Sequence, residues 1–135
     1  MPNSAVRGKL ETAVLKQMIA DEHIETVLTV FPDIYGRLMG KRVSGRYFLE
    51  PVLEGSLHAC DYLLACDMEM DPVPGYAFTS WAQGYGDFCL VPDFNTLRLA
   101  SWLEKSAIVL CDVYDEDTGE RVQIAPRSIL LQQVE

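Results

Sequence analysis

Basic residues are scarce in this chain: eleven Lys and Arg stand against twenty Asp and Glu, for a net charge of −9. Only Arg37, Lys41, Arg42 and Arg46 lie near one another, and the rest are scattered. Nucleic acid binds mainly through neutralised phosphates, so this balance repels it and removes it as a partner. Net charge speaks to solubility before fold, and solubility is the reading taken for the acidity. No apolar run approaches the roughly 20 residues needed to cross a bilayer. Met1 to Arg7 lead into a charged amphipathic stretch, not into the apolar centre of a signal peptide. A soluble cytoplasmic protein with no membrane partner is expected.

Compact catalytic signatures are missing as well. There is no Gly-x-Gly-x-x-Gly and no phosphate loop; Gly84-Tyr85-Gly86 stands outside any strand–helix context and reads as a bend. Cys60, Cys66, Cys89 and Cys111 form no Cys-x-x-Cys pair, and His23 and His58 are not spaced with them as zinc ligands. Each cysteine sits in an apolar segment, so buried, reduced thiols are expected. His23, beside the end of the first helix, reads as a favourable cation or a solvated residue. Asp67, Glu69 and Asp71 alternate, and on a strand they would share one face as hard oxygen ligands for a divalent metal. The favoured reading is a solvated strand edge running into a turn. Asp115, Glu116 and Asp117 lack the full calcium-loop pattern and read as a solvated turn. No nucleophile, base, metal cage or nucleotide site is assigned, and the loop around Trp81 is the one candidate surface. Repeats and low-complexity segments are absent too.

What is present fits one ordinary domain. The chain has 135 residues, 49% hydrophobic and 23% charged, close to the averages for folded soluble domains. Gly8 to Glu22 reads as a helix, with Leu10, Val14 and Met18 on one stripe. Thr26 to Phe31, rich in β-branched residues, reads as a strand. Pro32-Asp33-Ile34-Tyr35-Gly36 supplies turn chemistry, and Arg37 to Val43 returns as a hairpin strand. Tyr47 to Leu57 is a weaker helical segment. Ala59 to Met68 has no clean period, and both strand and buried loop remain open. Asp71 to Gly75 breaks the chain, and Tyr76 to Gly86 reads as a loop long enough to be functional. Phe88 to Val91 and Ala107 to Tyr114 read as strands, with a polar turn over 115–120 and a return strand Arg121 to Ile124. Pro126 opens a final helix. That helix reaches Glu135 after about two turns, too short to be stable alone. The expectation is a chain cut where a larger domain begins. These elements predict an α+β domain: a β-grasp-like roll with a small, mostly antiparallel sheet, packed helices and a preceding amino-terminal helix.

Four segments, in one order, resemble the amino-terminal domain of the glutamine synthetase family. Phe31 to Val43 is similar to the family's early hairpin, with its acid, Gly and Gly-Lys. Gly86-Asp87-Phe88-Cys89-Leu90-Val91-Pro92-Asp93, continuing to Thr96 and Arg98, is similar to its Asp, apolar strand, Pro-Asp and Thr segment. Trp102 and Ala107 to Val113 stand in the place of its Pro-Trp … Cys-Asp stretch. Ala125-Pro126-Arg127 resembles the Pro-Arg that begins the link to the catalytic domain. The likeness covers about residues 25 to 135. It implies three parts: an amino-terminal helix over 1–23, the β-grasp-like domain over 24–125, and over 126–135 the start of a linker helix to an absent carboxy-terminal catalytic domain.

The resemblance further implies an ATP-dependent ligase of nitrogen metabolism, joining the side-chain carboxylate of glutamate to ammonia or an amine, as in glutamine biosynthesis. ATP and Mg2+ or Mn2+ belong to the complete enzyme, held by its larger domain. This chain alone is expected to be inactive, to contribute one wall of the active site in the neighbouring subunit of a homo-oligomeric ring, and to expose an apolar patch where the larger domain docks. The carried-over loop runs from Ala77 to Asp87, with Ser80, Trp81, Tyr85 and Asp87 as substrate-site residues. Asp87 would orient an ammonium or amine through a charge-assisted hydrogen bond. For Trp81 and Tyr85, substrate contact stands beside packing or a subunit contact. The family loop begins Phe-Asp-Gly-Ser-Ser, and its Asp helps hold the ammonium. Phe78-Thr79-Ser80 has no acid in that place, which points to a bulkier amine or a different loop geometry. The competing reading is a free-standing β-grasp interaction module without catalysis.

Overall fold

The β-branched run after Glu25 forms the strand expected of it, and the sheet grows outward from there. A computed structural model describes residues 7–52, 57–79 and 86–135, with only the backbone of Pro51 and Val52. Helix α1 (Thr12–Ala20) precedes β1 (Thr26–Pro32) and β2 (Leu38–Ser44). A short helix, α2 (Gly45–Tyr47), runs into a π-helical turn (Phe48–Val52) and then β3 (Leu57–Cys60). Strands β4 (Asp87–Pro92), β5 (Arg98–Leu99) and β6 (Ser106–Asp115) follow, and helix α3 (Pro126–Val134) comes last. The sheet order is β2-β1-β6-β4-β3, with β5 also on β6. Every pairing is antiparallel except that of β1 with β6. This is the α+β, β-grasp-like roll expected of the sequence.

Strand β6 is the hub because it pairs with three others. Its alternation is clean: Ala107, Val109, Cys111 and Val113 are buried, while Ile108, Leu110, Asp112 and Tyr114 are partly open. Val27 and Phe31 of β1 and Phe88 and Leu90 of β4 join the same core, together with Leu15 of α1, Phe48 and Leu64. Phe31 and Phe88 meet edge to face at 5.3 Å between ring centroids. Burying each such side chain stabilises the fold by about 1.5–3 kcal/mol. Helix α1 comes close enough to the chain that a Cβ on Gly45 would crowd Ile19 at 2.9 Å. In the hairpin, Gly40 has φ +150, and a Cβ there would overlap the carbonyl oxygen of Thr29.

Several expectations are corrected. The first helix spans Thr12–Ala20, shorter than 8–22 at both ends. Of the expected helix over 47–57, Tyr47 ends the three-residue α2 and Phe48–Val52 form a π-turn, because Pro51 has no N–H to continue an α-ladder; residues 53–56 lie outside the described residues, and Leu57 opens β3. Ala59 to Met68 divides into the end of β3, a 3-10 turn (Asp61–Leu64) and bends. Residues 121–124 form no strand. Only a bridge joins Tyr114 to Arg121, and Ala125 N–H turns back to Val122 O at 3.1 Å as the chain bends toward α3. Asp67, Glu69 and Asp71 lie in a turn and not along one strand face. Cys66 and Cys111 are buried, but Cys60 and Cys89 are only half-buried.

Candidate functional site

The hairpin turn is built on Asp33, a carboxylate only 2% exposed. Its Oδ1 accepts the Tyr35 and Arg37 N–H groups, both at 2.9 Å, and its Oδ2 accepts Arg37 Nε at 2.7 Å. Burial alone would raise this carboxyl; the Arg37 side chain, the two backbone N–H groups and the Arg37 charge together hold it below its ordinary value. The remaining Arg37 nitrogens donate to Met68 O at 3.0 Å and Asp67 O at 2.9 Å. The Asp67 carboxylate in turn accepts the Glu69 and Asp71 N–H groups, at 2.9 and 3.0 Å. One arginine therefore fastens the β1–β2 turn to the 67–71 turn, and Asp67 serves backbone donors in place of a metal.

The expected substrate-site loop is described only at its two ends. Ser80, Trp81 and Tyr85 lie outside the described residues. Phe78 packs against the core, and Thr79 is 1% exposed. Asp87 opens β4 opposite Cys60 and is exposed, with no hydrogen bond or ion pair from its carboxylate to another described residue. A residue that the sequence reading passed over, Asp61, joins the two ends. It begins the 3-10 turn after β3 and is 9% exposed. Its Oδ1 accepts Thr79 Oγ1–H at 2.7 Å, and its Oδ2 accepts the Gly86 N–H at 3.2 Å. Its own N–H donates to Gly86 O at 2.9 Å. A buried carboxylate needs such donors to offset its lost hydration. The signal was present in the sequence: Cys60-Asp61-Tyr62-Leu63-Leu64 holds one acid within an apolar run, and a buried acid must find donors elsewhere.

The thiols nearby are not activated. Burial pushes the Cys89 thiol up, and the Glu116, Asp115 and Asp87 carboxylates add to it. His58 Nδ1 lies 3.6 Å from Cys89 Sγ and 3.8 Å from Glu116 Oε1, on the half-open face of β3 and β4. Burial raises Cys66 as well, and pushes Cys111 up to about 12. A thiol held protonated is a poor nucleophile and metal ligand.

Three of the resembling motifs meet in one place. Arg127, second residue of α3, donates through Nη2 to Asp93 Oδ2 at 2.7 Å and through Nε to Asp112 Oδ1 at 3.0 Å. Pro-Asp, Cys-Asp and Pro-Arg thus form a single ion-pair cluster that seats α3 on β6. Among the described residues no group of three or more His, Cys, Asp or Glu is arranged to hold a metal ion. The buried or clustered acids Asp33, Asp61, Asp93 and Asp112 already accept hydrogen bonds from protein donors. The described residues of this chain therefore do not fit the divalent metals that the resemblance assigns to the complete enzyme. Nor is any described helix long and apolar enough to cross a membrane.

The class is a β-grasp-like α+β domain with a pinned loop base and an arginine-seated exit helix. No family model matches the chain. It is 47% identical over 121 residues to gamma-glutamylethanolamide synthetase GlnA4 of Streptomyces coelicolor, covering 90% of this chain and 26% of that protein. It is 34% identical over 128 residues to a glutamate–isopropylamine ligase of a Pseudomonas species, covering 95% of this chain and 28% of that one. Among solved structures, a GmaS/ADP complex shares the fold with a TM-score of 0.60 at 24% identity, over 87% of this chain and 24% of the other. The chain belongs to the glutamine synthetase family and matches its amino-terminal part. It spans about a quarter of the length of these relatives.

Proposed function

We propose that this chain is the amino-terminal, non-catalytic domain of an ATP-dependent ligase that joins the side-chain carboxylate of glutamate to an amine. The observation that carries the reading is 47% identity to a gamma-glutamylethanolamide synthetase, over 90% of this chain but 26% of that relative. Residues 1–23, 24–125 and 126–135 are then the leading segment that carries α1, the roll and the start of the linker. Metal and ATP chemistry belong to the remaining three quarters of the protein.

An organic amine is a better acceptor than ammonia in this reading. Thr79 stands where the family loop has its ammonium-holding acid, and one relative is named for a gamma-glutamylethanolamide product and another for isopropylamine as the amine ligated. Asp87, exposed at the head of β4, supplies the negative charge on the loop's return. As the resemblance implies, the domain contributes one wall of the active site in a neighbouring subunit of a cytoplasmic ring. A groove of about 290 Å3, lined by the apolar Leu28, Val30, Leu38, Trp102 and Ile108 and edged by Lys41 and Arg42, supports a docking surface, with Trp102 64% and Leu38 53% exposed.

The reading frame past Glu135 tests the proposal. It is expected to continue into a domain carrying paired metal carboxylates. A stop codon there, with the purified chain binding a protein partner, would instead make the chain a free-standing interaction module.

A further inference from the structure

We infer that the groove beside Trp102 takes the acidic 67–71 turn of a second copy of this chain, so that two copies pair about a two-fold axis. The contact goes beyond the ligase reading and does not depend on it. The groove lies on the face of β1, β2 and β6: Leu28, Leu38, Trp102 and Ile108 give it apolar walls, and Lys41 and Arg42 stand at its edge. Among the described residues, neither Lys41 Nζ nor the Arg42 guanidinium meets an acid or a hydrogen-bond acceptor. In a chain of net charge −9, two unpaired cations beside apolar walls favour an acidic occupant with an apolar tip.

The 67–71 turn has that chemistry. Asp67, Glu69 and Asp71 alternate with Met68 and Met70, and both methionines are exposed. The Glu69 and Asp71 carboxylates have no partner among the described residues, whereas Asp67 is taken up by the Glu69 and Asp71 N–H groups. Arg37 holds the turn through Met68 O and Asp67 O, and Met70 sits at φ +67, a left-handed conformation that is costly for a residue with a side chain. A turn ordered in advance loses little freedom on docking. Methionine adapts to irregular apolar surfaces, and its sulfur packs well at an aromatic ring such as that of Trp102.

Arg37 also fixes where the turn lies. It directly precedes Leu38, the first residue of β2 and part of the groove wall, so turn and groove adjoin on one surface. Adjoining patches of opposite character are self-complementary. A two-fold axis between them seats each copy's turn in the other's groove, and the contact closes at two copies. Pairing of two β2 edges is less favourable, because it sets Lys41 and Arg42 against the same cations of the other copy.

Sedimentation equilibrium of the 135-residue chain and its surface variants tests this. The wild type dimerises as its concentration rises. Trp102→Ala, Lys41→Glu and Glu69→Lys each weaken the dimer at least about tenfold, through loss of an apolar anchor or through facing like charges. Mixing Lys41→Glu with Glu69→Lys restores association to within about threefold of the wild type, as a one-to-one dimer, because each groove then meets a turn of opposite charge. All three side chains are exposed, so the variants keep the wild-type circular dichroism and thermal midpoint. A wild type that is monomeric up to its solubility limit overturns the inference. So does a dimer indifferent to Trp102→Ala, or a mixture that associates no more tightly than either variant alone. A chain that stays monomeric while binding the remaining three quarters of the complete protein through Trp102 assigns the groove to that part, and likewise overturns the pairing of copies.

Discussion

Arg127 Nη2 lies 2.7 Å from Asp93 Oδ2, across 34 positions of chain, and the same guanidinium holds Asp112 at 3.0 Å. Both ends of the cluster are sheltered: the Arg127 side chain is 15% exposed, as is that of Asp112, and that of Asp93 is 28%. Arg127→Ala would leave two neighbouring carboxylates without their cation. Charged hydrogen bonds contribute about 1.5–3 kcal/mol each, and they share one donor group, so a loss of about 2–3 kcal/mol is expected. Urea unfolding checks the value. An unchanged midpoint would show that α3 is seated by packing alone.

Asp33 gives the fold an acid-sensitive element. Its carboxyl titrates below the ordinary 3.8, so the folded state binds its proton later than the unfolded chain does. The stabilisation is present above about pH 4 and is lost as pH falls from there through the lowered folded value. Asp33→Asn should lower stability at pH 7 and flatten the decline below pH 4. Unfolding midpoints measured from pH 2.5 to 7 compare the two slopes.

Gly40 has no room for a side chain, since a Cβ would overlap Thr29 O in the neighbouring strand. Thr29 is itself fixed there, its Oγ1 donating to Lys41 O at 2.9 Å. Gly40→Ala forces the β1–β2 pair apart and should destabilise by about 1–3 kcal/mol, with the hairpin amides losing exchange protection first.

Cysteine reactivity follows burial. An alkylating agent at pH 8 should label half-buried Cys60 and Cys89 in the native protein before Cys66 and Cys111, with Cys111 reacting only on unfolding. Mass spectrometry of labelled peptides gives the order, and early modification of Cys111 would contradict the core described above.

How much of this was legible in the sequence depended on where the partners of each segment lay. The β1–β2 hairpin was readable because its signals are local: a β-branched run, then Asp33 with donors two and four residues away. Pro126 at the start of α3 was readable for the same reason. The return strand over 121–124 was misread because Val122 and Ile124 alternate as a strand would, while the chain there bends toward α3. Asp61 escaped notice because its donors, Thr79 and Gly86, lie 18 and 25 positions away, and no local pattern names them. The Asp93–Asp112–Arg127 cluster was visible only as three separate resembling motifs; the sheet brings them together.

The most direct test is an assay coupling ATP hydrolysis to amide formation from glutamate and a small amine such as isopropylamine or ethanolamine. The protein continued through its remaining three quarters should form the γ-glutamyl amide, and the 135-residue chain alone should form none. Amide formation by the short chain, or none by the complete protein with any amine or ammonia, would contradict the account.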